Sequence, residues 1–207
     1  MRRLLIISLL LMWLAVTACG MVFIWSYSHK PGVAAASPRR WPSDTTVPHA
    51  AGHYTMVMLA HPKCPCTQAS VEELSRLMTH TQGRIDVYVL FAKPEGFSES
   101  WSRTDLWNSA AVIPGVTVIL DREAAEARRF GAATSGQVLL YDQAGSLVFQ
   151  GGITESRGHA GDNAGRAAIE TLVNHGVPDR DRTPVFGCPL FDPDLECRKP
   201  EHARASN

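Results

Sequence analysis

Two hydropathy patterns divide this 207-residue chain. From Leu4 to Trp25 there is no charged residue. At about 1.5 Å per residue a helix over that run spans roughly 33 Å, enough for a hydrocarbon core of about 30 Å. Beyond it, short apolar runs alternate with helical periodicity. Residues 54–60 predict a strand. Residues 68–80 predict a helix, with Val71, Leu74, Leu77 and Met78 on one face and Glu72, Glu73 and Arg76 elsewhere, and Gly83 is placed to end it. Residues 85–91 and 116–120 predict two more strands, with a helix over 98–111 between them. Asp121 is placed to cap a short helix running to Phe130. Residues 138–141 and 147–149 flank Asp142-Gln143-Ala144-Gly145-Ser146, a hairpin signal, and 163–174 predict the last helix. The order β-α-β-α-β-α-β-β-α implies an α/β fold whose sheet is mixed, with helices on both faces and an antiparallel terminal hairpin.

Four segments follow from this pattern: 1–25, 26–51, 52–176 and 177–207. Arg2 and Arg3 precede the apolar run, as in the n-region of an export signal. A cleaved signal peptide has a shorter apolar core. Val16-Thr17-Ala18-Cys19 suggests a lipoprotein signal, with Cys19 lipidated and first in the mature protein. The continuation through Met21-Val22-Phe23-Ile24-Trp25 favours an uncleaved, single-pass transmembrane anchor. Basic residues flank it almost evenly, Arg2 and Arg3 against Lys30, Arg39 and Arg40; the globular part is expected outside the cytoplasm. Residues 26–51, with Pro31, Pro38, Pro42 and Pro48, are expected to be a semi-extended linker that buries no core and holds the domain off the bilayer. The tail, 177–207, is expected to be irregular except for an anchor around 185–191. Twenty basic residues balance twenty acidic ones, so the chain carries no electrostatic footprint for nucleic acid.

The chemical signal is Cys64-Pro65-Cys66. It stands where the first strand gives way to the first helix, and chemistry gathers at the carboxyl ends of parallel strands. A helix N-terminus favours thiolate. Two thiols so placed exchange electrons as a dithiol/disulfide pair or hold a soft metal. In the redox case Cys64, expected to be the more exposed, attacks and Cys66 resolves, while Lys63 supplies charge and His61 accepts a proton. In the metal case His61, Cys64 and Cys66, completed by Cys188 or His159, offer a Cu(I) or Zn(II) site. A static disulfide is the bland alternative; it closes almost no loop and stabilises little. The Gly-rich loop 151–163 carries Arg157, whose fork suits a carboxylate or phosphate, and His159, a base or ligand. Asp162 and Asn163 are expected only to cap the last helix. Cys188 and Cys197 have two readings. They staple the tail as a structural disulfide, or Cys188 folds back as a third thiol, docked by Phe186, Leu190 and Phe191.

Val118-Ile119-Leu120-Asp121, Arg129-Phe130-Gly131-Ala132 and Leu139-Leu140-Tyr141-Asp142-Gln143-Ala144-Gly145-Ser146-Leu147-Val148-Phe149 resemble the final strands of the thioredoxin-like superfamily. With the N-terminal anchor and His61-Pro62-Lys63-Cys64-Pro65-Cys66, the chain looks like membrane-anchored, exported thiol-disulfide proteins of its peroxiredoxin-like and RedB-like branch. The resemblance covers about 54–174 and implies a thioredoxin-like three-layer sandwich with a mixed sheet. Two departures stand out. The family has Cys-x-x-Cys where this chain has Cys-Pro-Cys. The family also has a cis-proline facing the thiols, where this chain has Thr134-Ser135-Gly136-Gln137. In the family that proline shapes the substrate groove and blocks metal capture. Ser135, Gly136, Arg157 and His159 are therefore expected to border the substrate. The expected function is a membrane-tethered, extracytoplasmic thiol-disulfide oxidoreductase that needs no cofactor. Its partners would be a protein thiol or disulfide and a membrane or periplasmic redox donor. A Cu(I) or Zn carrier on the same fold and a non-catalytic interaction module are the alternatives.

Overall fold

The computed structural model describes residues 2–33, 36–49, 52–81, 83–177 and 179–191. The apolar N-terminal run is one helix, α1 (Arg2–Ser28), with no buried residue and enough length and apolar character to cross a membrane. There follow β1 (Tyr54–Ala60), α2 (Pro65–Thr81), β2 (Ile85–Lys93), α3 (Glu99–Ser102), α4 (Asp105–Ala111), β3 (Val116–Arg122), α5 (Ala125–Arg129), β4 (Gln137–Tyr141), β5 (Leu147–Gly151) and α6 (Ala164–His175). The strands form one sheet in the order β3-β2-β1-β4-β5. The first three are parallel, and β4 runs antiparallel to both β1 and β5. The helix expected over 98–111 is two helices. Thr104 breaks it in extended conformation (φ −90°, ψ 179°), and its hydroxyl donates to the Pro62 carbonyl at 3.0 Å. That bond draws the break onto the turn before Cys64.

The two faces of the sheet are covered differently. On one, Met56, Met58, Val89 and Phe91 pack with Leu74 and Leu77 of α2 and with Ile169 and Leu172 of α6. On the other, α5 is five residues long and supplies Ala127, with the adjoining Ala124, Phe130 and Ala132. Further cover comes from outside the expected domain: Trp41 and Val47 before it, Leu190 and Phe191 after it. The expected spacer is thus a strap. Trp41 packs edge-on against Phe130 and Tyr141, at 5.2 and 5.0 Å between ring centres. The Tyr141 hydroxyl donates to the Pro38 carbonyl at 3.0 Å, and the Thr45 and Thr46 hydroxyls donate to Glu126. A short helix leaves apolar surface worth about 25 cal/mol per Å² if covered, and prolines preset an extended segment to cover it. Nor does this segment hold the domain away from α1. The Ser28 carbonyl accepts from the Arg157 N–H at 3.0 Å, and the Arg157 guanidinium lies over the Tyr27 ring.

The tail, expected to be largely irregular, is pinned as far as the description reaches. It follows the free edge of β5, where the Gln150 N–H donates to the Asp181 carbonyl and the Thr183 N–H to the Gln150 carbonyl. An edge strand covered in this way is closed to pairing with other chains.

Loop 151–163 is held from below by Glu73 of α2, which is fully buried. Its carboxylate accepts from the Gly161 N–H (2.8 Å), Asn163 Nδ2 (3.0 Å) and Arg166 Nε (2.8 Å). Asn163 caps α6 as expected, accepting from the Arg166 N–H at 2.8 Å. Glu73→Ala strands these donors, and is expected to destabilise the fold by about 3 kcal/mol. The urea unfolding midpoint of the full chain in detergent reads this. A change below about 0.5 kcal/mol, the level of an ordinary surface substitution, would show that the network does not hold the loop.

Candidate active site

β1 ends at Ala60 in the middle of the sheet, and the chain turns through His61-Pro62-Lys63 into α2. Pro65 opens that helix, where a missing N–H leaves no bond unmade and φ is preset. The turn is braced around His61. Its N–H donates to Ser135 Oγ (2.7 Å) and its Nδ1 accepts from the Lys63 N–H (3.2 Å). Its ring stands edge-on to Trp101, 5.5 Å away. These contacts make the imidazole a strut of the turn. Lys63 is exposed, and its ammonium lies 5.1 Å above the Trp101 ring.

Cys64 and Cys66 are both buried, 2% and 7% exposed, so Cys64 is not the more open of the two as expected. Neither belongs to the apolar clusters of the sheet faces. Part of the cover on Cys64 is the tail. The Ser135 N–H donates to the Cys188 carbonyl at 2.8 Å and the Leu190 N–H to the Ala133 carbonyl at 2.9 Å, with an antiparallel bridge between Thr134 and Pro189. This lays 187–190 along 133–135 and sets Cys188 Sγ 3.1 Å from Cys64 Sγ. Of the two readings of Cys188, the structure brings the third thiol to the site; Cys197, its partner in the other reading, lies outside the described residues. Cys64 also lines a cleft of about 470 Å³ with Lys63, Pro65, Thr104 and Leu106, which Cys188 does not line.

The three sulfurs hold different protonation states. The Cys64 thiol is lowered from the ordinary 9.0 to about 4, first by the Cys188 thiol beside it and then by the Thr67 hydroxyl and the Cys188 and Thr67 N–H groups, against the pull of burial. With Cys64 ionised, Cys188 is the donor across the 3.1 Å contact. Lys63 is not among the largest causes. Burial raises the Cys66 thiol, the charge on Cys64 raises it further, and the Arg157 guanidinium pulls it back. Cys188 is pushed well above the thiol range, chiefly because Cys64 holds its proton. The site therefore presents one thiolate and two thiols near neutral pH.

The remaining expected residues divide. Ser135 is fully buried, and its hydroxyl shares a 2.6 Å hydrogen bond with that of Thr67, tying the loop before β4 to α2. Gly136 sits at φ +85° and donates to the Leu59 carbonyl at 2.7 Å, which starts β4; there a left-handed conformation suits glycine. No cis peptide bond occurs among the described residues. Arg157 binds backbone, donating to the Gly187 carbonyl at 2.8 Å and the Lys30 carbonyl at 3.2 Å. His159 is exposed, in a turn closed onto Ser156. Thr67 was missed by sequence reasoning, although a hydroxyl three residues after Cys64 carries the spacing of a capping contact. Among the described residues, no set of three or more His, Cys, Asp or Glu side chains is grouped to hold a metal ion.

No protein-family model and no curated protein matches the chain. Among solved structures it is similar to an uncharacterized conserved protein from Geobacillus kaustophilus, at 20% identity and TM-score 0.56, covering 80% of this chain and 94% of that one. It is similar in the same measure to a hypothetical protein from Sinorhizobium meliloti 1021, at 18% identity and TM-score 0.55, covering 78% and 93%. The exposed lipoprotein thioredoxin of Streptococcus pneumoniae strain TIGR4 matches at 15% identity and TM-score 0.44, covering 60% and 85%. At these identities the first two likenesses concern the fold alone. By its sheet order and its antiparallel final strands, this chain has the thioredoxin-like fold, led by an apolar helix compatible with a membrane anchor.

Proposed function

We propose that the chain is a membrane-tethered, extracytoplasmic thiol-disulfide oxidoreductase whose attacking sulfur is Cys64. The observation that carries this reading is a second thiol 3.1 Å from Cys64 at the N-terminus of α2, an arrangement that lowers the Cys64 thiol. A thiolate is the nucleophile of disulfide exchange. Cys64 attacks one sulfur of a protein disulfide and releases the other. A neighbouring thiol, Cys66 or Cys188, then attacks Cys64 and frees the substrate. The cleft along Pro65 and Leu106 is the approach for a polypeptide, and α1 supplies the tether. A membrane or periplasmic donor reduces the chain again. No cofactor takes part.

Reduced full-length chain in detergent micelles, mixed with insulin as a protein disulfide, is expected to release two insulin thiols per chain as Cys64 enters a disulfide. An absence of any disulfide at Cys64, with insulin or in an oxidising glutathione buffer, overturns the reading. Stoichiometric Cu(I) held by the purified chain and lost in Cys66→Ser, without exchange, would favour the carrier instead. If partner effects survive both Cys64→Ser and Cys66→Ser, the chain is an interaction module.

A further inference from the structure

We infer that Cys188 is a redox residue of this site: the tail segment 187–190 lies along the loop 133–135 as a built-in substrate, and Cys188 closes a disulfide with Cys64. The inference rests on the reading of Cys64 as the attacking sulfur and names the sulfur that resolves it.

Four observations converge. The two sulfurs lie 3.1 Å apart, and a disulfide spans about 2.05 Å, so closure takes a movement of about 1 Å. The tail segment is joined to the loop before β4 by main-chain bonds on both sides of Pro189, from the Ser135 N–H to the Cys188 carbonyl and from the Leu190 N–H to the Ala133 carbonyl. The main-chain pairing is of the kind by which an extended peptide is held by another segment. The approach depends on glycine: a Cβ on Gly187 would lie 1.9 Å from the Ser135 carbonyl oxygen. Finally, Phe186 and Leu190 are buried on either side of Cys188, and the Arg157 guanidinium holds the Gly187 carbonyl at 2.8 Å. These anchors suffice to dock the segment. They do not require a sulfur where the nucleophile sits.

The chemistry balances with a protein disulfide as the oxidant. The Cys64 thiolate attacks one substrate sulfur, the substrate S–S bond breaks, and the second substrate sulfur leaves as a thiolate. That thiolate takes the Cys188 proton. The Cys188 sulfur then attacks Cys64 Sγ, forming the Cys64–Cys188 bond and expelling the first substrate sulfur as a thiolate. Two electrons pass from the two cysteines to the substrate, which ends as one thiol and one thiolate. The sulfur that held the proton in place was the charged Cys64, and that charge is gone once Cys64 enters the mixed disulfide. The resolving thiol is therefore released for attack only after the first step. Cys64 lines a cleft that Cys188 does not, and that cleft is the proposed approach of the substrate.

Full-length chain in detergent, equilibrated with a glutathione redox buffer, acid-quenched and blocked with N-ethylmaleimide, is digested with trypsin and an Asp-specific protease. Cleavage before Asp192 separates Cys188 from Cys197. A peptide linking Cys64 to Cys188 is expected in wild type and in Cys66→Ser, and is expected to vanish in Cys64→Ser. If Cys188 is found only as a free thiol or joined to Cys197 while Cys64 pairs with Cys66, this inference falls and the proposed function stands. If Cys64 enters no disulfide, both fall. Gly187→Ala keeps every thiol and displaces the segment. It is expected to lower the yield of the Cys64–Cys188 peptide, and to speed blocking of Cys64, each by about tenfold, the scale of an overpacked contact. Unchanged yield and rate in that variant would overturn the inference.

Discussion

Cys64→Ser is expected to abolish exchange with insulin, lowering the single-turnover rate by about a thousandfold or more, as loss of a nucleophile does. A serine hydroxyl is neither ionised at neutral pH nor a thiol nucleophile, so the Cys188 and Thr67 donors that stabilise charge at this sulfur have nothing to act on. Cys66→Ser and Cys188→Ser are expected to cost far less, because each leaves one thiol beside Cys64 to resolve the mixed disulfide. Rapid-mixing measurement of insulin thiol release compares the three variants. Retention of more than about a tenth of the rate by Cys64→Ser would move the nucleophile elsewhere, since effects of that size are those of a supporting residue.

Cys188→Ala is expected to return Cys64 towards an ordinary thiol, because it removes the largest cause of the lowered pKa. At pH 5 a group with a pKa of about 4 is roughly nine-tenths ionised, and the variant is expected to fall below about one-tenth. The far-ultraviolet thiolate absorbance, taken as the difference from Cys64→Ser, reports this directly. Cys188→Ser keeps a hydroxyl donor and is expected to lie between. A titration unmoved by Cys188→Ala would mean that the Thr67 hydroxyl and the α2 N-terminus hold the charge. The same ionisation has a stability consequence with a definite sign. Folded Cys64 titrates near 4 and an unfolded thiol near 9.0, so its contribution is fully present above 9.0 and is lost as pH falls through 4. Between those limits the reduced wild type should gain stability over Cys64→Ser as pH rises. Cys66 and Cys188, whose thiols are raised, act in the opposite sense only above 9.0.

How much of this was legible beforehand depends on the distance over which each feature is decided. The runs 54–60 and 85–91 announce β1 and β2 because the centre of a parallel sheet is buried on both faces and tolerates few polar residues. Asp121 does serve the start of α5, its carboxylate accepting from the Glu126 and Ala127 N–H groups, although it stands in β3 and the N-cap position is Ala124. The break at Thr104 was hidden, since it follows from a hydroxyl reaching the Pro62 carbonyl, 42 positions away in the chain. The strap at 36–49 was hidden for the same reason. Its prolines signal an extended segment, and only the opening left by the five-residue α5 turns an extended segment into a core element.

The sequence by itself determined the order of strands and helices, the apolar leader, and the two thiols at the β1–α2 turn, because hydropathy period and turn chemistry act between near neighbours. Tertiary structure alone decided which sulfurs meet. Cys188 is 124 residues from Cys64, and although Phe186, Gly187 and Leu190 suit it to dock, only folding decides that it pairs with 133–135 beside that sulfur. It also decided which sulfur is charged, since the ionisation of Cys64 depends on donors that folding gathers around it rather than on the charge of its sequence neighbour Lys63.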